Sequence, residues 1–363
     1  MRCILMNKNV EVLTLSYDEE LKEFDSIFKV NDERYLPYIL SKEKFTSDLE
    51  FSISLSNWFN KRGILINKKN NDNYYLSLSD HYWLKPYESK IKYEDINYFD
   101  NDFEKVYYKS NILNGTDSNK FWIIQNGKRY FVKEVFENEM LEPFHEYLAS
   151  QISKRLGFSY VPYNLGIYKN KLVSVCPCFI DKDKEYVESY QILKDIESKN
   201  NYETYKNYIN LLEEKKVENA KEKVENMFII DFLLMNEDRN LNNFGIIRDA
   251  NTLKWIDASP IFDSSHSLAI QEYSQNGIVT SGYGIFFNGL ERFDDIIQVV
   301  ENKERIDVER LSGIVDEYYQ TLIKYQKYTN VSLEKINIEC FLLKRQIDKL
   351  KSLINTKMVK NVK

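Results

Sequence analysis

Four side chains of this 363-residue chain have types and spacings suited to phosphoryl transfer. Asp238 is followed by Arg239, and Asn243 lies five positions after Asp238, in the stretch Asn236-Glu-Asp-Arg-Asn-Leu-Asn-Asn-Phe-Gly. Phosphoryl transfer needs a carboxylate that accepts or orients the proton of the nucleophile, and a nearby amide oxygen on magnesium. A tight turn between a buried helix and a strand can hold both groups on one side; the same residues also suit a plain polar turn. Asp263 follows the apolar pair Ile261-Phe262, twenty residues after Asn243. A second carboxylate there can bind magnesium, which takes one or two carboxylates plus substrate oxygens. The other reading of Asp263 is an N-cap before Ser264-Ser265. Lys133 ends Tyr130-Phe-Val-Lys and can reach α/β-phosphates if a carboxylate holds it, or it can be an exposed strand lysine. Glu146 is the expected partner, with Glu139 and Glu142 as alternatives. Asn114-Gly-Thr-Asp-Ser-Asn-Lys120 can cradle phosphates with backbone N–H groups, or serve as an ordinary turn.

These residues need particular elements around them. Residues 2–16 read as two short strands around Asn7-Lys8-Asn9. Trp58 sits in a helix-like stretch, and Tyr74 to Leu84 alternates as a partly extended segment. The first hundred residues carry no chemical constellation and read as an accessory region with its own aromatic core. Phe121-Trp-Ile-Ile-Gln is a strand, Asn126-Gly127 a hairpin turn and Arg129 to Val135 the return strand. Between about Met140 and Leu156, Phe144, Tyr147, Leu148, Ile152 and Leu156 follow helical spacing, and Gly157 suits a left-handed C-cap. Strands are expected at 160–168 and 171–179. Residues 186–236 read as helical, ending in a helix at 218–235 that is apolar nearly all round and so buried. Strands at 244–248 and 253–257 would form a hairpin that returns the chain to Asp263. Beyond 292 the chain reads as mostly helical, and no solenoid repeat is present.

The order of these parts is that of a kinase: phosphate loop, strand lysine, helix glutamate, hinge strand, Asp-to-Asn loop, second Asp. The chain resembles the HipA-type serine/threonine kinases, a toxin-kinase fold distantly related to phosphoinositide kinases, over about residues 110–300. The family pattern Asn-x-Asp-Arg-His-x-x-Asn is matched by Asn236 to Asn243, with Asn240 in place of the histidine. Ala258-Ser-Pro-Ile-Phe-Asp263 is similar to the family's Ala-Pro-x-Tyr-Asp segment, one residue longer. His145-Glu146 through Gly157 is similar to its Asn-Glu helix, and Gly115 to Lys120 to its Gly-Ala-x-x-Lys loop, again one residue longer.

The resemblance implies an α+β, two-lobed protein-kinase-like fold. A β-rich N-lobe would span 106–180 and a mostly helical C-lobe 181–363, preceded by the accessory region 1–105. It implies a protein kinase that uses ATP and Mg2+, with Asp238 as catalytic residue supported by Lys133 and Glu146, and with Asn243 and Asp263 as metal ligands. ATP contacts would come from Gly115, Thr116, Asp117, Ser118, Asn119, Lys120 and Lys133. Cys178 and Phe179, at the end of a hinge from Leu172, would contact adenine through backbone groups, although Pro177 offers no N–H. The implied partner is a protein substrate with a Ser/Thr acceptor; the first hundred residues do not match the family's usual N-terminal subdomain, so its antitoxin-like partner does not carry over with the resemblance and stays an open alternative. Where the family carries an autophosphorylated serine, this chain has Ile112, Leu113 and Asn114, so loop autophosphorylation does not carry over. The same magnesium centre also suits a lipid or small-molecule kinase, an AMP transferase, or a non-catalytic nucleotide-binding module.

Composition narrows the classes further. Apolar residues make up 43% and aromatics 14%, enough for a substantial core and too much for a disordered chain. A net charge of −6 argues against broad phosphate-backbone binding, so no direct nucleic-acid contact is expected. Cys3, Cys176, Cys178 and Cys340 lack zinc spacing, and so few cysteines suit a reducing cytoplasm. No stretch approaches a membrane span and no secretory signal is evident.

Overall fold

The computed structural model describes residues 1–42, 45–66, 74–100, 105–109, 120–125, 128–134, 141–194, 196, 201–268, 281–283 and 290–361. The chain divides into two compact units, neither of them a single stretch of sequence. The first unit takes in Met1–Phe131, Cys178–Glu197 and Gly245–Asp257; the second takes in Val132–Pro177, Ser198–Phe244 and Ala258–Lys363.

The first unit begins with the expected hairpin. Arg2–Asn7 pairs antiparallel with Val10–Asp18, and Asn7 faces Val10 across the two-residue turn Lys8-Asn9. Lys8 takes a positive φ of 47°, as tight hairpin turns demand. A third strand, Glu23–Val30, and a fourth, Tyr82–Pro86, complete a sheet in the order Glu23–Val30, Val10–Asp18, Arg2–Asn7, Tyr82–Pro86. One face buries Leu5, Leu13, Leu15 and Tyr17 against Trp58 and Phe59 of the helix Asp48–Lys61, so the accessory region does carry its own aromatic core. Ser47 caps that helix by accepting the Glu50 N–H.

The later stretches of this unit form a second sheet. Lys184–Glu188 pairs antiparallel with Gly245–Asp249, which adjoins Trp255–Ala258. Residues 186–188 were expected to be helical and are strand instead. Tyr186-Val187 is a short β-favouring pair whose partner lies some sixty residues downstream, so the signal is not local. The two strands approach so closely that a Cβ on Gly245 would lie 2.1 Å from the Val187 carbonyl oxygen. Tyr186 N–H donates to the Ser79 carbonyl at 2.6 Å, and His81 Nε2 lies 3.0 Å from the Lys184 carbonyl. The N-terminal region is therefore bonded by backbone and side chain to this sheet.

The second unit is mostly helical. Glu142–Leu156 forms the expected helix and ends at Gly157, whose φ of 76° places it in the left-handed C-cap conformation. Asn164–Tyr168 and Lys171–Pro177 form an antiparallel pair. Ala220–Leu234 buries twelve of its residues, and Met235, at φ 51°, stops it. Helices Phe293–Val299, Ile314–Tyr325 and Leu333–Asn361 follow. No described helix is long and apolar enough to cross a membrane.

Candidate functional site

The helix Ala220–Leu234 places a carboxylate where its apolar surroundings leave it no water: Asp231 is 2% exposed. Such a charge must be paired. Arg239, only 1% exposed, meets it through Nη2 at 2.9 Å and Nε at 3.1 Å. Between them, Asn236 Nδ2 donates to Asp231 Oδ1 at 2.8 Å, and Asn236 Oδ1 accepts the Asp238 N–H at 3.2 Å. The turn after the helix is thus built around the buried pair, with Asp238 directly beside Arg239.

The same guanidinium reaches two other places. Its Nη1 donates to the Asn243 carbonyl at 3.0 Å and to the Phe262 carbonyl at 2.5 Å, and its Nη2 donates to Ser264 Oγ at 2.9 Å. One planar cation thereby ties the backbone of Asn243 to the residues on either side of Asp263. Asn243 Nδ2 donates to the Asp238 carbonyl at 3.1 Å, and its Oδ1 makes no hydrogen bond among the described residues. Asn240, in the place of the family's histidine, donates to Asp238 Oδ1 at 3.1 Å.

Asp263 itself has a φ of 51°, uncommon for a residue with a side chain, and no helix follows it through Leu268. The N-cap reading therefore gives way. Its carboxylate Oδ1 accepts from Lys133 Nζ at 2.7 Å and from Ser265 Oγ at 3.3 Å. Lys133 Nζ also donates to Glu146 Oε1 at 2.6 Å. Of the three carboxylates considered for Lys133, Glu146 is the one bonded to it; Glu142 instead lies 3.8 Å from His266, and Glu139 is outside the described residues. Ser174 Oγ donates to the other Glu146 oxygen. Burial alone would lower the Lys133 pKa, but Asp263 and Glu146 outweigh it and hold the ammonium above the usual lysine range. Burial pushes Glu146 up, and Lys133 offsets this only in part.

The donors suit a hard cation. Asp263 and Asn243 offer carboxylate and amide oxygens, the ligand type magnesium prefers, and it needs only one or two from the protein when phosphates supply the rest. Among the described residues no group of three His, Cys, Asp or Glu side chains forms a closed metal cage. Lys133, Glu146 and Asp263 set one ammonium beside two carboxyl groups, an arrangement that can accept added positive charge.

Other expected contacts belong to the first unit or fall outside the described residues. Gly115, Thr116, Asp117, Ser118 and Asn119 fall outside the described residues, as does the Asn126-Gly127 turn. Lys120 begins the strand Lys120–Gln125 and is half-buried. Cys178 and Phe179 belong to the first unit and follow directly on the strand that ends at Pro177. The Cys178 N–H donates to the Arg129 carbonyl at 2.8 Å, burial pushes its thiol up to about 12, and Phe179 meets the Tyr186 ring edge-on.

Sequence reasoning gave no role to Asp231, Ser174, His145 or Glu339. His145 is fully buried, with Nδ1 2.9 Å from the Ser265 carbonyl and Nε2 2.8 Å from Glu339 Oε2. Tyr318 OH donates to the same Glu339 oxygen at 3.2 Å. Burial alone would lower the His145 pKa, but Glu339 prevails and raises it. A signal was available for Asp231, a lone acid inside the apolar run Met227-Phe-Ile-Ile-Asp-Phe-Leu-Leu. None was available for Glu339, which only the tertiary fold brings to His145.

No protein-family model matches the chain. It is 29% identical over 169 residues to the serine/threonine-protein kinase CtkA of Helicobacter pylori, covering 42% of this chain and 51% of that protein. The chain thus spans about half the length of the curated relative it matches. The crystal structure of the H. pylori proinflammatory kinase CtkA superposes with a TM-score of 0.50 at 18% identity, covering 69% of this chain and 94% of that one. A HipA–HipB toxin–antitoxin complex with operator DNA from Shewanella oneidensis gives a TM-score of 0.45 at 12% identity, covering 96% of this chain and 97% of that one. The likeness to CtkA shows a kinase fold of the α+β class, as expected, and the chain is similar to the HipA-like kinases named from its sequence.

Proposed function

We propose that the chain is an ATP- and Mg2+-dependent HipA-like serine/threonine kinase that transfers the γ-phosphoryl group of ATP to a protein hydroxyl. One observation carries this reading: a single half-buried lysine, Lys133, is bonded to both Glu146 and Asp263. That is the arrangement a phosphate-binding lysine needs, a helix carboxylate to hold it and a metal-binding carboxylate beside it. The Arg239 bonds to Asn243 and Phe262 support the same reading, because they fix both candidate metal-binding residues to one frame.

Asp238 accepts the proton of the incoming hydroxyl as its oxygen bonds to the γ-phosphorus and the bond to the β-phosphate oxygen breaks. Arg239, paired to Asp231, keeps the Asp238 turn in place. Lys133 binds the α/β-phosphates while Glu146, steadied by Ser174, orients it. Asn243 and Asp263 would hold magnesium, which would supply positive charge to the phosphate oxygens. Gly115 to Lys120 would wrap the phosphates, and Cys178 and Phe179 would meet the adenine. Cys3, Cys176, Cys178 and Cys340 form no disulfide among the described residues, which supports a reducing compartment such as the cytoplasm.

Intact mass spectrometry after incubation with magnesium-ATP and a lysate tests the reading. Wild type should add ~80 Da per acceptor site to protein, the mass of a phosphoryl group, and Asp238→Ala should add none. An addition of ~329 Da would identify AMP transfer instead. Equal behaviour of the two proteins overturns the proposal.

A further inference from the structure

Asp263 is held in an uncommon backbone conformation by the short segment that follows it. That segment has no helix or strand of its own to hold it. Besides the Arg239 bond to Ser264 Oγ, its anchors are backbone bonds to the Asp238 loop and the helix before it: the Glu237 N–H donates to the His266 carbonyl at 2.8 Å, and the Leu268 N–H donates to the Leu234 carbonyl at 2.7 Å. Between Asp263 and these anchors stands the Ser265 carbonyl, which accepts from the Ser267 N–H at 3.1 Å within the segment and, from outside it, meets the His145 ring at 2.9 Å. His145 is next to Glu146 on the helix Glu142–Leu156, so one helical turn presents both the lysine-holding carboxylate and the loop-holding imidazole.

We propose that His145, fixed by Glu339, is a positioning residue for the Asp263 segment, setting the metal-binding carboxylate and, through His266 and Glu237, the Asp238 loop. Both ring nitrogens face acceptors, a carbonyl and a carboxylate, so each carries a hydrogen and the ring cannot rotate without losing both bonds. Tyr318 steadies the Glu339 carboxylate from the helix Ile314–Tyr325. The C-terminal helix Leu333–Asn361, which holds Glu339, thereby acts on the site through one imidazole. The arrangement is the kind in which an outer partner orients a ligand-bearing group, and loss of such a partner typically weakens metal binding roughly 10- to 100-fold. The metal-binding part of this inference rests on the reading of Asp263 given above.

Two variants of the full chain test it. His145→Ala removes both bonds. His145→Asn puts an amide nitrogen at the same number of bonds from the backbone as Nδ1, so it keeps a donor for Ser265 and loses only Glu339. Hydrogen exchange without nucleotide is the first readout: peptides covering 261–268 should exchange faster in His145→Ala, with 10–18 unchanged, and His145→Asn should recover most of the protection. The second is the dissociation constant of a non-hydrolysable ATP analogue. With magnesium it should rise roughly 10- to 100-fold in His145→Ala, without magnesium it should hold within about twofold, and Asn should restore it. Unchanged exchange at 261–268, or an Asn variant as impaired as Ala, overturns the positioning role and leaves His145 as a packing residue. If the wild type binds no nucleotide, the kinase reading fails, and the exchange data still decide whether His145 holds the segment.

Discussion

In the first unit each buried cation has a carboxylate of its own: Arg62 meets Asp80 at 2.6 Å, and Arg248 meets Glu185. In the second, Lys133 is shared between Glu146 and Asp263. The first-unit pairs join remote stretches of chain and are closed; Glu185, Arg62 and Arg248 are almost wholly inaccessible. The Lys133 cluster sets two carboxyl groups beside one ammonium, and Asp263 retains 29% side-chain exposure. A one-to-one buried pair specifies structure and asks for nothing more. A two-to-one cluster at an accessible edge has a carboxylate left over with which to meet a further cation. The difference separates charges that hold the fold from charges held ready for a ligand.

That comparison can be broken in four ways. The largest effect is expected from Asp238→Asn, which should lower the rate of phosphoryl transfer by ~10²–10⁴-fold at nearly unchanged thermal stability. A rate within threefold of wild type would remove Asp238 from the chemistry. Next, Arg248→Met should cost ~3–5 kcal/mol of stability because it strands Glu185 in the interior. Transfer per folded molecule should stay as in wild type, and Glu185→Leu in the same chain should recover most of the loss. A denaturation midpoint unchanged in Arg248→Met contradicts the view of this pair as structural.

Asp263→Asn should behave in the opposite sense. An amide still accepts from Lys133 while removing the surplus charge, so stability should change by less than about 1 kcal/mol. The wild type should gain ~2.7 kcal/mol from magnesium-ATP at a hundred times its dissociation constant, and the variant should gain far less. Equal ligand-induced shifts in melting temperature would sink the assignment of Asp263 to the metal. The smallest effect concerns pH. Glu339 and Glu142 raise the His145 pKa, while Tyr318 faces Glu339 as a neutral phenol. A base whose folded pKa is raised adds stability that is fully present below its unfolded value, near 6.5, and lost as pH rises through the folded value. The stability gap between wild type and His145→Asn should therefore narrow from pH 6 to pH 9, and a gap that widens would refute a cationic His145.

Much of this was legible where the signal is local. The Lys8-Asn9 hairpin, the helix ended by Gly157 and the buried helix before Asn236 all follow from neighbours in sequence. The pairing of Lys133 with Glu146 was readable because strand and helix are adjacent and the spacing is short. The strand at Lys184–Glu188 was not, because its strand partner, Gly245–Asp249, is far along the chain. Nor was the tie of His145 to Glu339, across 194 positions. The αL backbone of Asp263 carries no mark in its residue type, since aspartate enters helices, caps and turns alike.

The interleaving of the two units has a consequence for biosynthesis. The sheet-and-helix core of the N-terminal region draws on residues within Cys3–Leu84 and can close as soon as they leave the ribosome. The unit they belong to ends only at Asp257, which lies 126 residues beyond Phe131. At ~5–20 residues per second, that interval lasts about 6–25 s. For the first part of it the Ser79 carbonyl and His81 await Tyr186 and Lys184, for nearly all of it the Tyr82 hydroxyl awaits Arg248, and the nascent chain meanwhile presents to chaperones an edge that the finished protein covers.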